Sequence, residues 1–406
     1  MGTVEPRRRK AWRALGKGAD LAMLGFFEFY DFYIGSAEVL LNRLGVPFHP
    51  RTLGLILPVG ISFYTFQTMS YVIDVYRGKL PATRQFVNFL AYVSFFPQLV
   101  AGPIERAARL LPQFEKTRLI TREMIEEGLW LVVLGMFKKV VLADNLAPLV
   151  EMVYQGSNFS GPMVVLGTIA FAFQIYCDFS GYSDIARGTS LFLGFDLMVN
   201  FHLPYAATSP REFWRRWHIS LSTWLRDYLY VPLGGNRRGP ARACVNVFIT
   251  MLLGGLWHGA AWNFVLWGMW QGAGVVLQRL VRPDGQTPAS FRTPHSAFRT
   301  SLSWLGTMLF VLYGWLLFRA GSLATVAAMT RGLGNLWLPP WCASYAVSLA
   351  VFIAPVVLLE LWQHRTNLRT APPSSPWPRA IVQGALLLAI ILYWEKVQVP
   401  FIYFQF

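Results

Sequence analysis

Long apolar runs separated by short polar stretches set the rhythm of this chain. They cover residues 20–42, 53–75, 86–102, 125–143, 163–182, 189–200, 244–257, 262–280, 302–320, 345–362 and 380–394. Several hold about 17–22 residues with almost no charge, enough for a helix to cross a hydrocarbon core of about 30 Å. The runs are continuous rather than alternating, which argues against a transmembrane β-barrel. The pattern predicts an all-α polytopic membrane protein with about 8–11 membrane helices or re-entrant segments. The runs at 86–102, 189–200 and 244–257 are short and are expected to be re-entrant or tilted. No internal repeat, direct or inverted, emerges, which lowers the case for a secondary transporter.

Composition agrees. Of 406 residues, 54% are hydrophobic and only 14% charged, against about 25% charged in a soluble domain. The net charge of +15 raises nucleic acid as a partner, but in a polytopic chain basic residues collect in cytoplasmic loops and meet anionic lipid. Membrane lipid is therefore the expected partner, and nucleic acid is not. The basic loops are 76–122, 211–242, 279–299 and 364–379, placed in the cytoplasm; the poorly charged loops 144–162 and 321–344 are placed outside. Residues 1–19 read as a basic cytoplasmic leader, and 20–406 as a single membrane domain. The leader and the first apolar run, with Glu28 and Asp31, match a cleaved signal peptide poorly. Cys177, Cys244 and Cys342 are scattered and form neither a disulfide framework nor a metal-ligand spacing. The Pro-rich stretch 371–378 reads as a loop.

One segment is both charged and aromatic: "REFWRRWHISLSTWLRDYLYVPLGGNRRG", residues 211–239. On one helix over 211–228, Arg211, Arg215, His218, Ser222 and Arg226 share a stripe about 80° wide. Trp214, Trp217, Leu221, Trp224 and Tyr228 form a neighbouring stripe. Such a helix lies at the membrane interface, with indoles at headgroup level and arginines at phosphates. From 209 to 242, seven Arg stand against Glu212 and Asp227. The plain reading is an interfacial anchor. The sharper one is a cationic, aromatic-lined entrance, with Trp217 in its wall, for a large anionic donor such as acetyl-coenzyme A or an acyl-carrier thioester.

A second histidine, His258, sits within "MLLGGLWHGAAWNFVLWGMWQG" (251–272). A polar group at membrane depth is costly and marks a site by default. The flanking Gly254, Gly255, Gly259, Ala260 and Ala261 let a backbone or a substrate approach closely. Trp257, Trp262 and Asn263 offer N–H and amide groups to orient the ring or a ligand. The plain alternative is a histidine bonded to a neighbouring helix. A histidine here can take the proton of an attacking hydroxyl. With no nucleophilic Ser or Cys motif nearby, direct transfer is favoured over an acyl-enzyme. Asp178 and Tyr182, in "FAFQIYCDFSGYSDIARGTS" (171–190), share a helix face. An Arg of 211–226 is the expected partner of Asp178, unless Asp178 and Asp184 are ordinary interfacial carboxylates.

In order along the chain, "PVGISFYTFQTMSYVIDVYRG", "FPQLVAGPIERAARLLPQF", "QIYCDFSGYSDIARGTSLFLGF", "EFWRRWHISLSTWLRDYLYVPLGGNRRG", "GGLWHGAAWNFVLWGMWQG" and "PFIYFQF" resemble the membrane-bound O-acyltransferase family, especially its bacterial alginate O-acetyltransferase branch. The resemblance covers the chain from about residue 24 onward. It implies a ring of helices around a central funnel, with His258 as the catalytic histidine and His218 as a second, cytosol-side one. It also implies an acyl group moved from a cytosolic thioester toward an extracytoplasmic acceptor, with no bound cofactor or metal and with periplasmic acetyltransferase partners. "GFFEFYDFY" (25–33) follows the leader almost at once, so the family's first helices are expected to be missing. Glu28 stands where the family usually has Lys, and Cys177 where an aromatic is commoner.

The leading expectation is therefore an acetyltransferase of the bacterial cytoplasmic membrane, acting on an exopolysaccharide such as alginate or on a periplasmic acetyl relay. Peptidoglycan or D-alanyl transfer, and a transporter or flippase with a buried His/Asp proton relay, stand as alternatives. The donor side is assigned to Arg211, Arg215, Trp217, Ser222, Arg226, Asp178, Tyr182 and Asn263.

Overall fold

The computed structural model describes residues 6–55, 58, 60–281, 294–366, 375–394 and 400–402. Among these residues every regular element is helical. The chain opens with α1 (Pro6–Leu24), a π-helical turn and α2 (Tyr30–Arg43), followed by α3 (Ile61–Tyr76). Helix α1 spans the boundary between the basic stretch and the first apolar run. It packs along α3, where the Thr68 hydroxyl donates to Asp20. Short helices α4 (Phe86–Val93), α5 (Phe96–Leu99) and α6 (Ala107–Glu115) come next. The run 86–102 is accordingly broken rather than a single span.

Helix α7 (Arg122–Met136) passes through a π-helical stretch into α8 (Asp144–Tyr154), and α9 (Gly161–Phe192) returns across them. Helix α9 is the axis of the fold: 83% of its apolar window is buried, against 17% for α16. Two glycine pairs let α7 and α9 touch through backbone. A Cβ on Gly135 would lie 2.5 Å from the Gly181 carbonyl, and one on Gly188 would lie 2.6 Å from that of Gly128. Association through small residues suits a lipid setting, where apolar burial alone gives little drive.

The run 189–200 contains no helix beyond Phe192; its later part is irregular chain that leads into α10 (Pro210–Arg216) and α11 (Ile219–Leu225). Then come α12 (Gly239–Trp257), α13 (Trp262–Val281), α14 (Pro294–Arg319), α15 (Leu323–Gly332), α16 (Cys342–Thr366) and α17 (Pro376–Leu392). Among the described residues, four helices are long and apolar enough to cross a membrane: 161–192, 239–257, 298–319 and 342–363. The other apolar runs form shorter, broken or less apolar helices around them. Most of the basic loop 279–299, much of 364–379 with its Pro-rich start, and residues 403–406 of the last motif lie outside the described residues.

Candidate functional site

The segment 211–228 is not one helix. Ser209 caps α10 by accepting the Glu212 N–H, and Pro210 starts it. Trp217 is then extended and His218 left-handed, at φ 43°. A left-handed turn at a non-glycine residue is uncommon and costs energy, and here neighbouring chain holds it. The Ile219 N–H donates to the Asn200 carbonyl at 2.9 Å, and the His202 N–H to the Arg216 carbonyl at 2.9 Å. The break rotates α11 away from the register that a single helix would impose.

The two predicted stripes therefore have different fates. The aromatic stripe is taken up largely by the protein interior. Trp217, Leu221, Trp224 and Tyr228 are buried; Trp224 stacks on Phe66 at 3.8 Å, and Trp217 on Phe213 at 5.6 Å. Trp214 alone of that set is half-buried, and it borders a cavity of about 630 Å³. Arg211, Arg215, Ser222 and Arg226 line the same cavity, together with Thr250 and Met251 of α12 and Arg279 of α13. His218 parts from the arginines. It is fully buried, one residue beyond the cavity-lining Ile219.

The cations differ in what holds them. Arg226 bonds Asp227 at 2.7 Å. Burial on its own would raise the Asp227 carboxyl, but hydrogen bonds from Arg226 and Arg106 outweigh it and hold the group below the usual carboxylate range. Arg279 donates to Asn236 at 2.9 Å and to the Tyr230 hydroxyl at 3.3 Å. Arg215 is exposed and has no carboxylate partner among the described residues. Arg279 escaped the sequence reading because it is separated from the stripe by most of the α12–α13 hairpin.

His258 lies at the turn of that hairpin. The two helices meet at glycines: a Cβ on Gly255 would come within 2.4 Å of the Phe264 carbonyl and 2.8 Å of Gly268 Cα. The imidazole is half-buried and packs edge-on to Trp257 (5.0 Å), Trp267 (5.1 Å) and Phe318 (5.3 Å). Trp257 also meets His218 at 6.0 Å. One indole thus touches both histidines, which their separation of 40 positions in the sequence does not reveal.

Besides Trp217, which is buried on Phe213 and lines no part of the cavity, three more predicted donor-side residues sit elsewhere. Asp178 does not pair with an arginine of 211–226. It faces Lys139 at 2.8 Å and accepts the Ile402 N–H at 2.7 Å. Lys139 also reaches Asp144 at 2.8 Å, while Lys138 pairs with Asp184 at 2.7 Å. A buried carboxylate needs a close cation, and the π-helical stretch after α7 brings two lysines nearer than any arginine. Tyr182 packs on Phe401 at 5.2 Å, so both residues clasp the last described turn of the chain rather than line the cavity. Asn263 donates to the Phe318 carbonyl at 3.1 Å and ties α13 to α14 behind His258.

Comparison with known proteins bears on this arrangement. A family model described as MBOAT, membrane-bound O-acyltransferase family, matches residues 80–324, which contain both histidines and the cavity. A probable alginate O-acetylase of Pseudomonas putida is 38% identical over 99% of the chain and 86% of its own length. Another from Azotobacter vinelandii is 44% identical over 79% of the chain, which spans 62% of that protein. A peptidoglycan O-acetyltransferase of Helicobacter pylori is 34% identical over 81% of the chain and 65% of its own length.

Proposed function

The chain belongs to the membrane-bound O-acyltransferase family, and from that premise we propose that it moves an acetyl group from a cytosolic thioester to a hydroxyl of a cell-envelope polysaccharide or of a periplasmic acetyl relay. One observation supports the reading: an arginine-lined cavity is bordered by Ile219, the residue after His218, and His218 shares the Trp257 indole with His258. The acetyl thioester of coenzyme A, or of a phosphopantetheinyl carrier, suits this cavity. Arg211, Arg215 and Arg279 meet its phosphates through charge-assisted hydrogen bonds, and Trp214 and Tyr230 supply aromatic wall. The thiol arm runs past Ser222 and Thr250 toward His258.

There the acceptor oxygen attacks the thioester carbon. His258 takes the hydroxyl proton as the new C–O bond forms. The C–S bond breaks, and the departing thiolate recovers that proton from the imidazolium. Protons balance within the site, and no acyl-enzyme is needed. Half-burial of His258 beside three aromatic rings keeps bulk water from competing for the thioester. The bacterial cytoplasmic membrane is the location this chemistry requires, since the donor is cytosolic and the acceptor lies outside.

The test is reconstitution of the purified protein in lipid vesicles with labelled acetyl-coenzyme A and a polysaccharide acceptor. Label in the polymer supports direct transfer. Label that reaches polymer only when a periplasmic transferase is added supports the relay form. Absence of thioester consumption under both conditions overturns the acyl-transfer reading.

A further inference from the structure

Beyond the end of α9, Asn200 lies beside the left-handed turn at His218, and both are buried with no more than 1% of their surface exposed. The Asn200 side-chain oxygen accepts the Ser220 N–H at 3.2 Å and the Ser220 hydroxyl at 2.9 Å. A backbone N–H can only donate, so that atom is the amide oxygen. The same oxygen stands 3.2 Å from His218 Nδ1. The Ser220 hydroxyl, its proton already directed at Asn200, stands 3.4 Å from Nδ1. Two acceptors therefore face Nδ1, which must carry the ring proton. In a neutral imidazole the other nitrogen is then a lone-pair acceptor. His218 Nε2 meets no hydrogen-bond partner among the described residues. A buried polar atom left unpaired asks for a ligand.

We propose that Asn200 is the positioning residue that fixes this tautomer, and that His218 Nε2 accepts the amide N–H of a pantetheine-type donor arm. This rests on the acyl-transfer reading above. Position supports it. His218 directly precedes the cavity-lining Ile219 and shares Trp257 with His258. In an extended acyl thioester the first amide nitrogen trails the carbonyl carbon by about 5 Å. A donor with its thioester at His258 thus brings that amide back toward His218. The remaining ring neighbours of His218 are Phe179 and Phe201, and His258 is the titratable group whose charge it feels. None of these competes for Nε2. On this account His218 is a hydrogen-bond acceptor and not a second proton carrier.

The experiment uses two small donors, S-acetyl-N-acetylcysteamine and its isostere with an ester oxygen in place of the amide N–H. The purified wild-type protein should prefer the amide in kcat/KM by about 10- to 100-fold. In His218→Ala, His218→Asn and Asn200→Ala the preference should collapse to about 1. His218→Gln places a carbonyl oxygen near the Nε2 position and should retain most of the preference, as should Asn200→Asp, which keeps the acceptor. Asn tolerates the left-handed backbone better than Gln, so loss in Asn with retention in Gln cannot be a backbone effect. Equal use of the two donors by wild type overturns the proposal, as does His218→Gln as inactive as His218→Ala. In either case acyl transfer by wild type and its loss in His258→Ala would leave the broader function standing.

Discussion

Arg215 and Arg226 belong to one stripe in the sequence, and both border the cavity, yet their surroundings separate them. Arg226 is neutralised by Asp227, whereas Arg215 has no such partner among the described residues. Arg215→Ala should raise the donor KM about 5- to 50-fold with little change in kcat, the signature of an interaction made equally before and during reaction. Arg226→Ala should change the KM by less than about 3-fold. Steady-state kinetics with donor varied at fixed acceptor would show the difference, and equal effects would contradict it. Glu105 offers a second contrast. It is wholly buried in the loop before α6, where it accepts the Met198 N–H, and burial pushes its carboxyl up to about 7. The folded state then holds a proton that the unfolded chain has released. Stability is fully present below the ordinary Glu value and falls as pH rises through about 7. Glu105→Gln should flatten this slope and be the more stable form at pH 8, by up to about 3 kcal/mol. Thermal unfolding of both proteins in detergent at acid and alkaline pH checks it; parallel curves would exclude the protonated form.

At the scale of elements, the apolar runs located the main helices because lipid-facing and core-facing positions are both apolar, and length alone then marks a span. Periodicity failed at His218. An angular wheel assumes continuous helix, and nothing in "RRWHIS" announces a left-handed residue; the reason for it, Asn200, lies 18 positions away. The same non-locality hid the partner of Asp178. Its lysine is 39 positions earlier, at the π-helical stretch that re-aims two adjacent lysines into the core. The glycines beside His258 were legible as a close-approach device, and the hairpin uses them so: Gly255 and Gly268 set the spacing of α12 and α13. Gly255→Val should force the helices apart and cost at least about 2–3 kcal/mol, seen as loss of folded protein in fluorescence-detected size exclusion. Normal yield and activity would show that the hairpin spacing is not set there.

For the whole molecule, outward acyl transfer needs the cavity to open to the cytosol and the α8–α9 turn to lie outside. The basic loops mark the cytosolic side where they stay at the surface. Asn236 and Asn158 are both exposed. In a background without the three native cysteines, Asn158→Cys should react with an impermeant thiol reagent in intact cells and Asn236→Cys only after lysis; the reverse pattern would invert the protein. The combination of arginine cavity and paired histidines was partly legible, since each histidine stood out in its own segment. Their meeting at Trp257 was not, because it depends on the left-handed turn at His218, which Asn200 of the irregular chain after α9 holds.

Polymer acetylation in cells carrying His258→Ala, measured beside the abundance of the protein in the membrane, tests the central claim most directly. The imidazole is the one group here assigned to take the acceptor proton, so its loss should lower acetylation by at least about 100-fold while the protein remains at wild-type abundance. Wild-type acetylation at normal abundance would contradict the account.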